Sequence, residues 1–299
     1  MKYAYYIGCI VPSRLNQYDL AVRRISEELG IQLVDLDGAS CCGTVITRSI
    51  NAEANLIMSL RILVLAENKG LDLLVTCPGC YESIIEAHEV FHNNPSFREE
   101  ANMILNKLDN LTYDGKMRVK HFIQVLYEDV GLEKLKDRVK KPLNGLKAAA
   151  HYGCHILRPS SKLKFDDPEN PKIFDKLIDI TGAKSIYWTL KLWCCGSPIQ
   201  TIDRNLSLSL TAMKLRSAKD AEADCIVTIC PSCQLQFDFM QSEASKITGE
   251  KYDMPILLYP QLLGLSMGLH PEEVGLNLNR SSIERFLEHL KELRGERDG

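Results

Sequence analysis

Ten of this chain's cysteines fall into two equal sets, so the fold must carry one thiol arrangement twice. Eleven cysteines stand at 9, 41, 42, 77, 80, 154, 194, 195, 225, 230 and 233. With Cys225 set aside, the first set reads Cys9, thirty-one residues, Cys41-Cys42, thirty-four residues, then Cys77-x-x-Cys80. The second reads Cys154, thirty-nine residues, Cys194-Cys195, thirty-four residues, then Cys230-x-x-Cys233. The text around them repeats too: YYIGCIV against AHYGCHIL, CCGTVI against CCGSPI, DLLVTCPGC against CIVTICPSC. A weaker echo aligns KHFIQVLYEDVGL (120–132) with LLYPQLLGLSMGL (257–269) at an offset of 137. Duplication of one module accounts for all of this, with a break at Pro142 and Gly145 that predicts modules at 1–145 and 146–299. The longer first interval of the second copy fits RPSSKLKFDDPENPK (158–172), polar and loop-like.

The length of 299 residues suits two domains, and 45% hydrophobic residues suffice for a packed core. A net charge of −3, from 36 basic and 39 acidic residues, offers no general attraction to nucleic acid or to a membrane surface. No apolar run approaches the ~18 residues of a bilayer span, and the first residues lack the length and cleavage pattern of a secretory signal. The expected setting is therefore the cytoplasm, where thiols stay reduced and serve metal or redox chemistry rather than structural disulfides. The segment ELRGERDG (292–299) reads as a solvated end.

Strand-like and helix-like stretches alternate. KYAYYIG (2–8) reads as a strand ending at Cys9, residues 16–29 as a helix stopped by Gly30, IQLVDL (31–36) as a strand, 51–68 as a helix and LDLLVT (71–76) as a strand running into Cys77. The second copy offers strands at 147–153, SIYW (185–188) and 224–229, with helices near 172–181 and 204–222. Strands linked by crossover helices pair in parallel, so the fold class is α/β: two duplicated modules, each a mostly parallel sheet with flanking helices, expected to be related by pseudo-two-fold symmetry. Ligands of such sheets bind beyond the carboxyl ends of the strands. Cys9, Cys41-Cys42 and Cys77 all follow strands, and Cys80 falls in the first turn of a helix whose amides favour a thiolate.

Five thiolates meeting at one point exceed what one tetrahedral ion needs, which favours a multinuclear centre. A structural zinc in each module, on Cys41-Cys42 and Cys77-x-x-Cys80, is the plainer alternative and leaves Cys9 and Cys154 without a role. Dithiol chemistry at CPGC is a second alternative that leaves the doubled cysteines unexplained.

The pattern Cys, Cys-Cys-Gly, Cys-x-x-Cys, present twice and spanning essentially the whole chain, resembles the CCG cysteine-rich domain family and within it the B subunits of heterodisulfide reductase. The motif residues are Cys9, Cys41, Cys42, Gly43, Cys77 and Cys80, then Cys154, Cys194, Cys195, Gly196, Cys230 and Cys233. The resemblance implies two [4Fe-4S] clusters of noncubane type, one on each cysteine quintet. It implies the catalytic subunit of a heterodisulfide reductase complex, which reduces the coenzyme M–coenzyme B mixed disulfide to two thiols in the last step of methanogenesis, with the disulfide lying between the two sites. Relatives with the same modules serve as iron–sulfur electron-transfer or quinone-linked subunits of organic-acid oxidoreductases, which is the alternative reading. Those relatives often carry a ferredoxin motif that this sequence lacks. The implied partners are a ferredoxin-type iron–sulfur subunit (the C component of heterodisulfide reductase), its flavin-containing A component, and a hydrogenase or formate dehydrogenase. No G-x-G-x-x-G fingerprint for a nucleotide cofactor is present.

No catalytic residue is expected beyond the cluster ligands except a proton donor, for which His155 beside Cys154 is the candidate and His151 the neighbour. An anionic substrate needs cations, and Arg48 and Arg204, a few residues past their CCG motifs, are the candidates. Cys225, within DCIVTI, reads as a buried apolar thiol, and Tyr3, Tyr5 and Tyr6 as core.

Overall fold

The computed structural model describes residues 1–295. Among these, eight short strands form two four-stranded sheets, parallel throughout. The first sheet has the order β2-β1-β3-β4, from β1 (Lys2–Tyr6), β2 (Gln32–Asp35), β3 (Leu73–Val75) and β4 (Val119–His121). The second repeats it as β6-β5-β7-β8, from β5 (Lys147–His151), β6 (Lys184–Ser185), β7 (Cys225–Thr228) and β8 (Ile256–Leu258). The registers match as well: Tyr6 pairs with Val75 and His151 with Thr228, the corresponding positions of the two copies. The echo at 120–132 and 257–269 is thereby explained, since in each copy it holds the end of the fourth strand and the helical turns that follow it.

Strand alternation divides the core. Tyr3 and Tyr5 of β1, with Ala148 and Ala150 of β5, face a common core that also takes in Tyr18, Phe122, Leu126, Phe174, Tyr259 and Leu263, so the inner faces of both sheets bury against one another's helices. The helix Asn16–Leu29 of the first copy packs on Tyr259–Met267 of the second. The outer faces have separate cores: Ala4 and Tyr6 with Leu63, Ile84 and Phe91 on one side, Ala149 with Trp188, Ile226 and Phe237 on the other. Cys225 is fully buried in the common core.

Two expectations are revised. The second strand of the second copy stops at Ser185 rather than continuing through 188, because Tyr187 turns out to solvent and Trp188 folds inward to donate its indole N–H to the Ala150 carbonyl at 3.0 Å. The stretch 158–172 is not all loop. Ser160–Leu163 forms one helical turn, whose Leu163 enters the outer core of the first copy. Of the segment 292–299, residues through Arg294 close the last helix, Ile283–Arg294, and 296–299 lie outside the described residues. No helix among the described residues is long and apolar enough to cross a membrane.

Candidate metal centre

Each cysteine is placed by an element boundary. Cys9 caps the short helix Ile10–Arg14 just beyond β1. Cys77 and Cys230 are the N-caps of Pro78–Asn93 and Pro231–Thr248, each with proline in the first turn where its missing N–H costs nothing. Cys80 and Cys233 then sit one turn in, buried. Cys41-Cys42 and Cys194-Cys195 lie in loops that depend on the glycine after them. Gly43 and Gly196 adopt φ of +85° and +96°, and a Cβ on Gly196 would run into the Ser207 carbonyl oxygen. Side chains of the next helix clamp these loops: Asn55 and Ser59 donate to the Cys42 carbonyl at 2.8 and 3.3 Å, and Thr211 and Ser207 to the Cys195 and Gly196 carbonyls at 3.0 and 2.9 Å.

The sulfurs meet without being bonded. Cys42 and Cys80 Sγ are 3.2 Å apart and Cys9 and Cys41 Sγ 3.6 Å, and all eleven thiols are free. In the second set Cys154, Cys194, Cys195 and Cys233 interact in the same order. Cys77 and Cys230 also reach one another, so the two sets touch. Main-chain N–H groups of Gly43, Gly196 and Ser197 point at Cys41, Cys194 and Cys195 Sγ from 3.3, 3.4 and 3.4 Å. Hydrogen bonds from neighbouring thiols pull Cys41 down to about 2 and Cys194 likewise to about 2. Hydrogen bonding to Cys41 and burial push Cys9 up, and the bond to Cys194 and burial do the same to Cys154. Five thiols held this close cannot all ionise against each other; a polynuclear cation that takes all five sulfurs removes that conflict, and the donor set fits one.

The two sets line one cavity of about 230 Å³ at the joined carboxyl edges. Its walls are apolar at Ile7, Ile10, Val11 and Ile46, with Pro78 and Pro231 from the two helix starts. Among the described residues, His155 is the one ionisable side chain lining it apart from the thiols. Two larger grooves, of 890 and 770 Å³, flank the helix Ile283–Arg294 and contain no cysteine.

The candidate residues outside the cysteines are placed as follows. His155 Nδ1 lies 2.7 Å from Glu82, which also receives Arg48 at 2.8 Å, and Glu86 joins Arg48 at 2.9 Å to Lys162 at 2.7 Å. Glu82 raises the His155 pKa against burial, and although burial opposes it, His155 and Arg48 hold Glu82 below its usual range. This network ties the helix Pro78–Asn93 to the second module. Arg48 therefore stands behind His155 with its charge shared by two carboxylates, and it does not line the cavity. Arg204 is more than half exposed and pairs with Glu243 at 2.5 Å, away from the cavity. His151 is buried beside Cys195 and Cys233, their donor atoms all within 4.8 Å of one another.

Sequence reasoning missed Tyr18, whose hydroxyl lies 3.0 Å from the Thr76 carbonyl and 2.9 Å from the Ile229 carbonyl, the residues before Cys77 and Cys230. Only the register of both copies taken together signals it. Tyr18→Phe leaves two buried carbonyls without this donor and is expected to cost about 1–2 kcal/mol, read as a lower denaturant midpoint with an unchanged slope; an unchanged midpoint would show that the bridge is not structural.

A model of the cysteine-rich domain named CCG matches residues 3–85 and 148–238. The chain is 37% identical over 295 residues to the B component of the ferredoxin/F420H2-dependent CoB-CoM heterodisulfide reductase of Methanosarcina acetivorans, covering 98% of both chains. It is 34% identical to an 8-methylmenaquinol:fumarate reductase membrane anchor subunit of Wolinella succinogenes, covering 93% of this chain and 96% of that one. A crystal structure of a hypothetical protein from Helicobacter pylori superposes with a TM-score of 0.75 at 18% identity; it covers 94% of this chain, which spans about half (52%) of that one, and shares the fold. With both halves matched and full-length relatives at this identity, the chain belongs to the CCG cysteine-rich domain family, in the group that contains the heterodisulfide reductase B subunits.

Proposed function

We propose that this chain is the disulfide-reducing subunit of a heterodisulfide reductase complex, working on the mixed disulfide of coenzyme M and coenzyme B. The observation that carries the reading is the single cavity lined by thiols of both modules, since a site shared by two cysteine sets suits a reaction that needs two electrons at one bond. Modules 1–145 and 146–299 each hold one [4Fe-4S] cluster of noncubane type, on Cys9, Cys41, Cys42, Cys77 and Cys80 and on Cys154, Cys194, Cys195, Cys230 and Cys233. Bound there, the clusters would supply one electron each. In the overall reaction the S–S bond breaks, two electrons go to the two sulfurs, and two protons complete two thiols.

The chain's own residues bind, exclude water and hold a proton. The apolar walls at Ile7, Ile10 and Val11 limit water beside the buried sulfurs of Cys77, Cys80, Cys195, Cys230 and Cys233. His155, held by Glu82, presents a proton at the cavity wall. Arg48, behind it, is the better placed of the two proposed anion-binding residues, and Arg204 serves at most the outer approach. Electrons reach the chain from a ferredoxin-type subunit, with a flavin-containing subunit and a hydrogenase or formate dehydrogenase further upstream, in the cytoplasm.

The likeness to the Wolinella protein favours a second reading, an electron-transfer or quinone-linked role in an organic-acid oxidoreductase. Reduced viologen as donor with the heterodisulfide as acceptor separates the two. The first reading predicts release of two thiols per disulfide by the anaerobic protein; viologen oxidation by a quinone analogue with no thiol release supports the second and removes the first.

A further inference from the structure

The two cysteine sets have different surroundings although their backbones repeat. Thirty-four residues separate Cys42 from Cys77 and Cys195 from Cys230, so the copies align without a gap and Arg61 corresponds to Lys214. Arg61 is partly exposed, pairs with Asp109 at 2.5 Å and donates to the Gly38 carbonyl at 2.7 Å, so its charge is neutralised beside water. Lys214 is 1% exposed and has no carboxylate partner among the described residues. Its Nζ donates to the carbonyls of Leu190, Lys191 and Trp193, the last two at 3.3 and 3.1 Å, and stands 4.2 Å from the Trp188 ring centroid. Three acceptors require three N–H bonds, which only the ammonium form has. Burial lowers its pKa to about 8, which still leaves it charged at neutral pH. An uncompensated cation is thus held in a dry pocket behind Cys194-Cys195, where charge acts at low effective dielectric.

The strand ends differ in the same sense. Tyr6 and His151 occupy equivalent positions next to their cysteine sets. The Tyr6 hydroxyl is committed to the Ser40 carbonyl at 2.8 Å. The His151 ring is buried, neither nitrogen has a hydrogen-bond partner among the described residues, and the polar groups around it are the Lys191 main chain, Lys214 and the sulfurs of Cys194, Cys195 and Cys233. A buried imidazole whose nitrogens are both uncommitted can turn one of them to sulfur or metal.

We propose that Lys214, with His151 beside it, makes the C-terminal cysteine set the one whose cluster is reduced at the higher potential. The inference rests on the reading that each module holds an iron–sulfur cluster. Adding an electron makes such a cluster more negative, and a nearby cation or hydrogen-bond donor stabilises that state. At the equivalent positions of the N-terminal set Tyr6 is turned away and Arg61 is neutralised, so neither feature is repeated there; the histidines near Cys77 are His121 and His155, and the latter is paired with Glu82.

The test is a redox titration of the anaerobic, cluster-loaded protein with dithionite, each centre followed by its electron paramagnetic resonance signal. Two one-electron midpoints are expected. Lys214→Met lowers the higher one by tenfold or more in the reduction equilibrium, which is 59 mV for one electron, and leaves the lower one in place; Lys214→Arg restores it. Because Lys214→Met also strips donors from three carbonyls, Tyr6→His provides an independent arm and is expected to raise the lower midpoint. Full iron content with neither midpoint moved by Lys214→Met, both moved equally, or no response to Tyr6→His overturns the inference while leaving the clusters intact. Wild-type protein without iron after reconstitution overturns the underlying reading instead.

Discussion

Cys195→Ser is expected to remove about half of the iron and acid-labile sulfide and to lower heterodisulfide reduction by about 100-fold or more, beyond the 10–100-fold typical of outer-shell losses. The Cys195 thiol is buried, takes the Ser197 N–H at 3.4 Å and abuts Cys194 and Cys233, so its sulfur is at the centre of the second set. A serine oxygen is harder, closer to its Cβ and protonated at neutral pH, and it cannot replace a soft thiolate for iron. Activity falls further than metal content because the two sets face one cavity and the proposed reaction needs both electrons at one bond. Iron and sulfide assays on the purified variant, beside the viologen assay, check this. Wild-type turnover would remove Cys195 from the site.

Gly196→Ala is expected to destabilise the second module by about 3 kcal/mol or more, one of the larger effects open to a single methyl group. Two causes add. The φ of +96° is unfavourable for any residue with a Cβ, and that Cβ has no room because the Ser207 carbonyl fills the space. Ser207 cannot retreat, since its hydroxyl donates back to the Gly196 carbonyl at 2.9 Å and Gln236 donates to it at 3.1 Å. Gly249→Ala separates the two causes: φ there is +72° with nothing within 4 Å, and the cost should be only about 1–2 kcal/mol. Denaturant unfolding of both variants in the cluster-free state checks the difference, and equal costs would mean that contact with Ser207 contributes nothing.

The duplication and the strand–helix alternation were legible because they rest on spacing and period, which a single sequence displays. The helix at 16–29 was readable from Gly30; the helix read as 204–222 starts at Arg204, where the Asp203 side chain accepts the Leu206 N–H at 2.9 Å, but ends at Asp220. The fourth strand of each sheet was not legible. VKH and ILL are three residues long, and only pairing with β3 and β7 makes them strands. SIYW misled because Trp188 satisfies β-propensity yet spends its indole on a long-range hydrogen bond. At the site, the gathering of two cysteine sets at the strand ends was legible from their spacing. The network of Glu82, Glu86, Arg48, His155 and Lys162 was not, because it is assembled from helices of both modules and has no local pattern. Lys214 lay in view as the counterpart of Arg61, but its burial comes from Trp188 and three loop carbonyls, which the sequence alone does not bring together.

The central claim is that ten sulfurs act as two quintets around polynuclear iron. Metal and acid-labile sulfide analysis of the anaerobically purified, reconstituted chain tests it most directly. The account predicts a brown protein with iron and sulfide in equal amounts, enough for two four-iron clusters. A colourless protein that keeps one zinc per module and takes up no sulfide would contradict it.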